Sequence, residues 1–374
     1  MKRQICFMIS IILIITTVLF PDSVCAKEYD LDAFSQVEYS EENFCNYMDL
    51  MKREYLKIYL KGKNISSPHS FGYSQEYMIY NCDDNYKRIL FLFDGDECIG
   101  AILCTFIDGE FASSFIEKRY EVIKDSYQNE EEFMLISVEH SLIFASPVRT
   151  MVLEGTEVLN ETKIELTAMQ MLHSKSTVLQ KCVVSPLNYT NQNEASDSYV
   201  SYGSTITATY GLLDVPHVSN GLSPNGEGLC WCASISSIAA FRKGTIPISA
   251  LELYNNLNVN YPGTPTGNAT WEKRGFSFYS LSYTYYGSGT TYSGVTGILS
   301  QYRPIFASLT TSNGSLGHAV VICGYQHPSG GNYYYTLMDP NVTSKVTVIV
   351  SSSSTNFTYV TSSTTYTKWR RRIY

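Results

Sequence analysis

Histidine and tryptophan are scarce in this chain, at six and three residues, and none of its ten cysteines forms a C-x-x-C pair. Structural zinc sites draw four closely spaced ligands from those residue types, so no metal is expected, and nothing in the sequence implies a cofactor. Eight cysteines follow residue 26, but their spacing forms no dense framework, and a chain of this length needs none to fold. After residue 20 no apolar run is long enough to cross a bilayer, so no stable membrane anchor is expected. Positive charge is also short. The net charge is −8, and no nucleic-acid partner is expected.

What is present begins with a leader. Lys2 and Arg3 precede the apolar stretch 5–20, and Val24 and Ala26 supply a small-residue cleavage pattern. Residues 1–26 therefore read as a signal peptide cleaved after Ala26, which implies a secreted, extracellular protein; an uncleaved anchor is the alternative. The remainder is long enough for two domains. Residues 27–200 hold 15 Lys/Arg against 29 Asp/Glu, a net of −14, whereas residues 201–374 hold 10 against 5, a net of +5. Opposite signs on adjoining halves would attract each other.

The first half, residues 27–175, reads as a small α+β domain. Residues 40–62 predict an amphipathic helix capped by Ser40, with Phe44, Met48, Met51, Tyr55 and Ile58 on one face. Strands follow at 76–81 and 88–93, and Asp94-Gly95-Asp96 turns the chain into 97–106. A helix is expected near 113–130, then three short strands between 132 and 159. His69, His140 and His173 stand alone, as surface or core histidines usually do. Residues 176–208 are rich in Ser, Thr and Asn and read as a linker with a processing site, since nicking concentrates in such segments. The second domain occupies 209–374.

Chemistry concentrates in that second domain. In Gly226-Glu-Gly-Leu-Cys230-Trp-Cys-Ala-Ser234 a Gly-rich loop runs into a helix of small and apolar residues. Cys230 then sits at the helix N-terminus, where free N–H groups and the dipole favour negative charge and can hold an oxyanion. Cys232 lies on a different face and is expected to be buried. In Gly317-His318-Ala-Val-Val321 a histidine opens a strand. A thiol becomes a better nucleophile beside a base, and the other histidine after Cys230, His327, lies in a Gly-rich turn. That turn makes a hairpin of 319–326 and 332–338. If residue 326 faces 332, position 318 falls opposite 340, beside Asp339 and Asn341, and a one-residue shift places Asp339 directly across. Asp339-Pro340 is also an ordinary turn pair.

These residues resemble the papain-like cysteine peptidases, particularly the secreted bacterial C39-like (staphopain-like) branch. Leu213-Asp-Val-Pro-His-Val-Ser219 is similar to that branch's opening strand, and Cys230-Trp-Cys-Ala-Ser234 to its nucleophile stretch. Arg303-Pro-Ile-Phe-Ala-Ser308 and Gly317-His-Ala-Val-Val321 resemble the strand before the base and the base strand. Met338-Asp-Pro340 resembles the orienting acid. The resemblance covers about residues 210–345. It implies an α+β catalytic domain, a nucleophile helix packed on an antiparallel sheet, preceded by a small α+β prodomain. It implies Cys230, His318 and Asp339 as catalytic residues, a protein or peptide substrate, and the N-terminal segment as inhibitor of a proenzyme. The Gln that such enzymes place before the nucleophile is missing, and Asn220 or Asn225 could donate the oxyanion hydrogen bond instead. Two other classes share the pattern: a cell-wall amidase or acyltransferase using the same Cys-His chemistry, and a binding module on a degenerate peptidase fold.

Overall fold

The computed structural model describes residues 38–63, 71–80, 86–138, 141–154, 161–172, 178–186, 205–206, 210–328 and 332–374. The leader and its cleavage after Ala26 lie outside the described residues, as do His69, His140, His173 and most of the linker.

The first half is α+β. Its elements are α1 (Glu41–Lys63), β1 (Phe71–Ser74), β2 (Tyr77–Tyr80), β3 (Arg88–Asp94), β4 (Glu97–Ile107), β5 (Glu110–Ile116), α2 (Glu121–Gln128), β6 (Glu132–Val138), β7 (Ser141–Ala145), β8 (Thr150–Glu154), α3 (Glu161–Leu172), β9 (Gln180–Lys181) and β10 (Val184–Pro186). The Ser40 hydroxyl accepts from the Asn43 N–H at 3.1 Å and so caps α1. Phe44, Met48, Met51 and Tyr55 are buried on one face of that helix, as the helical period requires.

The helix expected near 113–130 starts later. Asp108 and Gly109 both have positive φ, 54° and 84°, and fold β4 back into β5 as a two-residue hairpin. Residues 113–116 are thereby committed to a strand, and α2 begins at Glu121. Residues 178–186 depart from their linker-like composition in the same way. β9 pairs with β6 and β10 with β1, so this stretch completes the first half's sheets.

The second half comprises β11 (Thr205–Ile206), β12 (Tyr210–Leu212), α4 (Cys230–Lys243), α5 (Ala250–Asn260), α6 (Ala269–Phe278), β13 (Tyr285–Tyr286), α7 (Tyr292–Leu299), β14 (Ile305–Thr310), β15 (Gly317–Gln326), β16 (Tyr333–Met338), β17 (Lys345–Val350), β18 (Tyr359–Val360), β19 (Thr365–Tyr366) and β20 (Lys368–Ile373). The antiparallel order β20-β14-β15-β16-β17 forms its sheet, with β12 on β15 beyond the end of β14. The Arg-rich C-terminal segment β20 is part of this sheet. Arg371 forms two bonds of 2.6 and 2.8 Å to the carboxylate of the buried Glu272, and Trp369 is buried.

One sheet runs through both halves. β17 pairs with β16 on one side and with β5 of the first half on the other, Val346 facing Ile116 and Val348 facing Ser114. The largest apolar cluster likewise contains residues of both halves, from Tyr77 and Phe91 to Val346 and Ile373. Among the described residues no helix is long and apolar enough to cross a membrane.

Candidate active site

Cys230 is the first residue of α4. Its N-cap is Leu229, whose hydrocarbon side chain cannot accept from the first-turn N–H groups, so no side-chain cap competes for those donors. Ala233 is the first residue whose N–H bonds back to Leu229, at 3.0 Å. From Trp231 to Ala240 the helix is buried without interruption. Its small residues permit this: the Ser234 hydroxyl donates to the Ala319 carbonyl at 3.1 Å, tying the helix to the residue after His318. Cys232 is fully buried, and burial pushes its thiol well up, whereas Cys230 is only partly covered.

His318 lies at the start of β15, 5% exposed, and its Nε2 is 2.9 Å from Asp339 Oδ1. Nδ1 is the ring nitrogen that Asp339 does not use, and Cys230 lies near enough to the imidazole to contribute to raising it. Asp339 is fully buried, and both its oxygens are used: Oδ1 also accepts from the Asn341 N–H at 2.7 Å, and Oδ2 accepts from the Tyr359 hydroxyl at 2.5 Å. The Tyr366 ring stacks on His318 at 5.4 Å and 27°.

Burial alone would depress the imidazole. The Asp339 carboxylate and the bonds to Asp339 and Cys230 outweigh it and hold His318 well above its ordinary value. Burial would raise Asp339 likewise, but His318, Tyr359 and the Asn341 N–H hold it below the ordinary carboxylate value. Tyr359 is pushed well up by burial and by the Asp339 charge, which keeps it a donor. The surroundings of His318 thus favour the protonated ring beside the Asp339 carboxylate.

The His318–Asp339 contact forms by a different register from the expected one. Gln326 faces Tyr334 and not residue 332; after an irregularity at Cys323, Val321 faces Met338. Asp339 directly follows Met338, the last paired residue of β16, and from there its carboxylate reaches His318.

The two asparagines separate. Asn225 is exposed in a turn, and its backbone N–H bonds to Ser223 Oγ at 3.3 Å. Asn220 is built into the site. Its N–H donates to the Pro340 carbonyl at 2.8 Å, and its amide donates to Asn341 Oδ1 at 2.8 Å, while its own Oδ1 is buried without a partner. His327 stacks on Tyr333 at 4.0 Å, half-buried in an aromatic cluster. Trp271 and Phe276 of α6 are core residues.

Residues 212–367 match the Peptidase C39 like family. The matched segment contains Cys230, His318, Asp339 and both tyrosines, and the match supports a papain-like cysteine peptidase family for this half. No curated protein matches the chain. Among the described residues no group of His, Cys, Asp and Glu could hold a metal ion.

Sequence reasoning missed Tyr359, Tyr366 and His217. The tyrosines bracket a Ser/Thr run with no chemical signature, and only the β18–β19 hairpin carries them to Asp339 and His318. His217 was visible only as part of the Val-Pro-His motif; its Nε2 is 3.2 Å from the Asp339 carbonyl.

Proposed function

We propose that this protein is a secreted cysteine peptidase of the staphopain-like branch, acting on protein or peptide substrates through Cys230, His318 and Asp339. The observation that carries the reading is the position of Cys230, partly exposed at the uncapped start of a buried helix, against an imidazole already paired with a buried carboxylate. His318 Nδ1 takes the Cys230 proton as the sulfur attacks the scissile carbonyl. The new C–S bond forms as the carbonyl electrons move to oxygen. First-turn N–H groups of α4 and the second N–H of the Asn220 amide receive that oxyanion. Collapse breaks the C–N bond, and His318 delivers its proton to the departing amine. Water then attacks the thioester with His318 as base, releasing the acid and restoring the thiol. Asp339 orients the ring throughout.

The chain is made with a leader cleaved after Ala26. Because residues 180–186 are held in strands of the first half, its processing site belongs in 187–204. Labelling by a thiol-directed epoxide, with Cys230 identified as the modified residue, is the direct test. Casein should be hydrolysed and muropeptides left intact; a Cys230→Ala protein that retains full activity would overturn the assignment.

A further inference from the structure

The first half meets the second on the side of the sheet that carries Asp339. β5 adds to the outer edge of β17, and Ser114, fully buried, accepts from the Val360 N–H at 3.0 Å. Val360 belongs to the β18–β19 hairpin, and its neighbour Tyr359 donates to Asp339. Ile116 and Glu154 of the first half line one small cavity together with Asp339, Asn341, Tyr359 and Tyr366. Further along, Glu54 of α1 accepts from the buried Tyr334 hydroxyl at 2.6 Å and from Asn332 at 3.1 Å. Cys230 instead enters from α4, which packs on β14 and β15, and it stays partly exposed.

Removing the first half would be costly to the second. β17 would become an unpaired edge, and Val346 and Val348, both fully buried, would lose their cover. The Val360 N–H and the Tyr334 hydroxyl would lose their partners, and the hairpin bearing Tyr359 would lose its anchor.

We propose that the first half is a lasting, activating part of the catalytic site: β5 and Ser114 fix the hairpin from which Tyr359 positions Asp339, and the two halves stay together after the linker is cut. This rests on the cysteine-peptidase reading, and it gives the first half a different part from the inhibitor implied by family resemblance. Tyr359 and Ser114 are positioning residues, acting through Asp339 and not on substrate.

The test uses the full chain with a recognition sequence for a specific protease placed within 191–200. After cutting, the halves should co-elute in gel filtration under native conditions, with kcat within about twofold of the uncut chain. Tyr359→Phe should lower kcat about tenfold, the worth of one hydrogen bond to a charged group, with KM unchanged and the acid limb of the pH profile moved to higher pH. Ser114→Ala should lower kcat in the same direction by less. Halves that separate, a gain of activity on cutting, or a folded Tyr359→Phe protein with unaltered kcat would each overturn the inference. Epoxide labelling of the uncut chain keeps the two readings apart. No labelling at Cys230 sinks the peptidase reading, whereas labelling with separated halves sinks this inference alone.

Discussion

Each half lays a helix on an antiparallel sheet, and the two helices are built to different ends. α1 buries one face, with Phe44, Met48, Met51 and Tyr55 packed on β3, β4 and β5, and leaves Glu42, Asp49 and Arg53 in water. α4 is buried on every side for ten residues, between β14 and β15 and the helices α5 and α6. Its Ala and Ser residues allow the close approach. At Gly275 of α6 even a methyl group would come 2.8 Å from Ile235 of α4. An amphipathic helix can shift slightly on its sheet; an enclosed helix tied by Ser234 to β15 fixes where its first residue stands. Reactive geometry needs that fixity, and Cys230 is that residue.

The sharpest test of the contrast lies within α4. Cys230→Ala should lower peptide hydrolysis about 10⁴-fold or more, as removal of a nucleophile does, while Cys232→Ala stays within about threefold. Equal losses would mean that the helix contributes packing and not chemistry. Asp339→Asn should come next, lowering kcat by about 10² to 10⁴ by mis-setting the imidazole tautomer. An effect confined to KM would argue against an orienting role. Asn220→Ala should cost about 10² in kcat, the loss of one oxyanion donor, and Asn225→Ala much less. The reverse order would return the oxyanion site to the exposed turn.

In α1 the prediction changes kind. Met48→Ala should destabilise the protein by about 2 to 5 kcal/mol in urea unfolding, through lost burial and a cavity, with kcat of the folded protein within about twofold. The smallest effect is one of pH, read as the stability difference between the native chain and Asp339→Asn. His318 is raised, so its contribution is complete below its ordinary value of 6.5 and fades as pH climbs through the raised value. Asp339 is lowered, so its contribution is complete above its ordinary value of 3.8 and fades as pH falls through the lowered value. The difference should be greatest between those pH values, and a difference that grew above pH 6.5 would contradict the pairing.

Local features were legible in the sequence where short-range chemistry decides them. Ser40 caps α1, the Asp94-Gly95-Asp96 turn joins β3 to β4, and the strands at 132–138, 141–145 and 150–154 lie where their apolar runs put them. Cys230 opens its helix because small residues follow a Gly-rich loop. The His318–Asp339 pairing was also anticipated, though by the wrong register, since the irregularity at Cys323 leaves no mark in the residue pattern. The helix expected from residue 113 failed because pairing of β5 on both edges, with β4 and β17, overrides local preference.

By itself the sequence determined the candidate site residues: one cysteine at a helix start, one histidine opening a strand, one acid at a hairpin's end. These follow from bonds and periods spanning a few residues. Only the tertiary structure decided what holds them. Tyr359 on Asp339, Tyr366 on His318, Asn220 on Asn341 and Ser114 on Val360 are contacts between segments from 20 to 246 residues apart. No local preference encodes them. They arise because β5 and β17 share one sheet and one apolar core, and burying that core sets which polar groups must find each other.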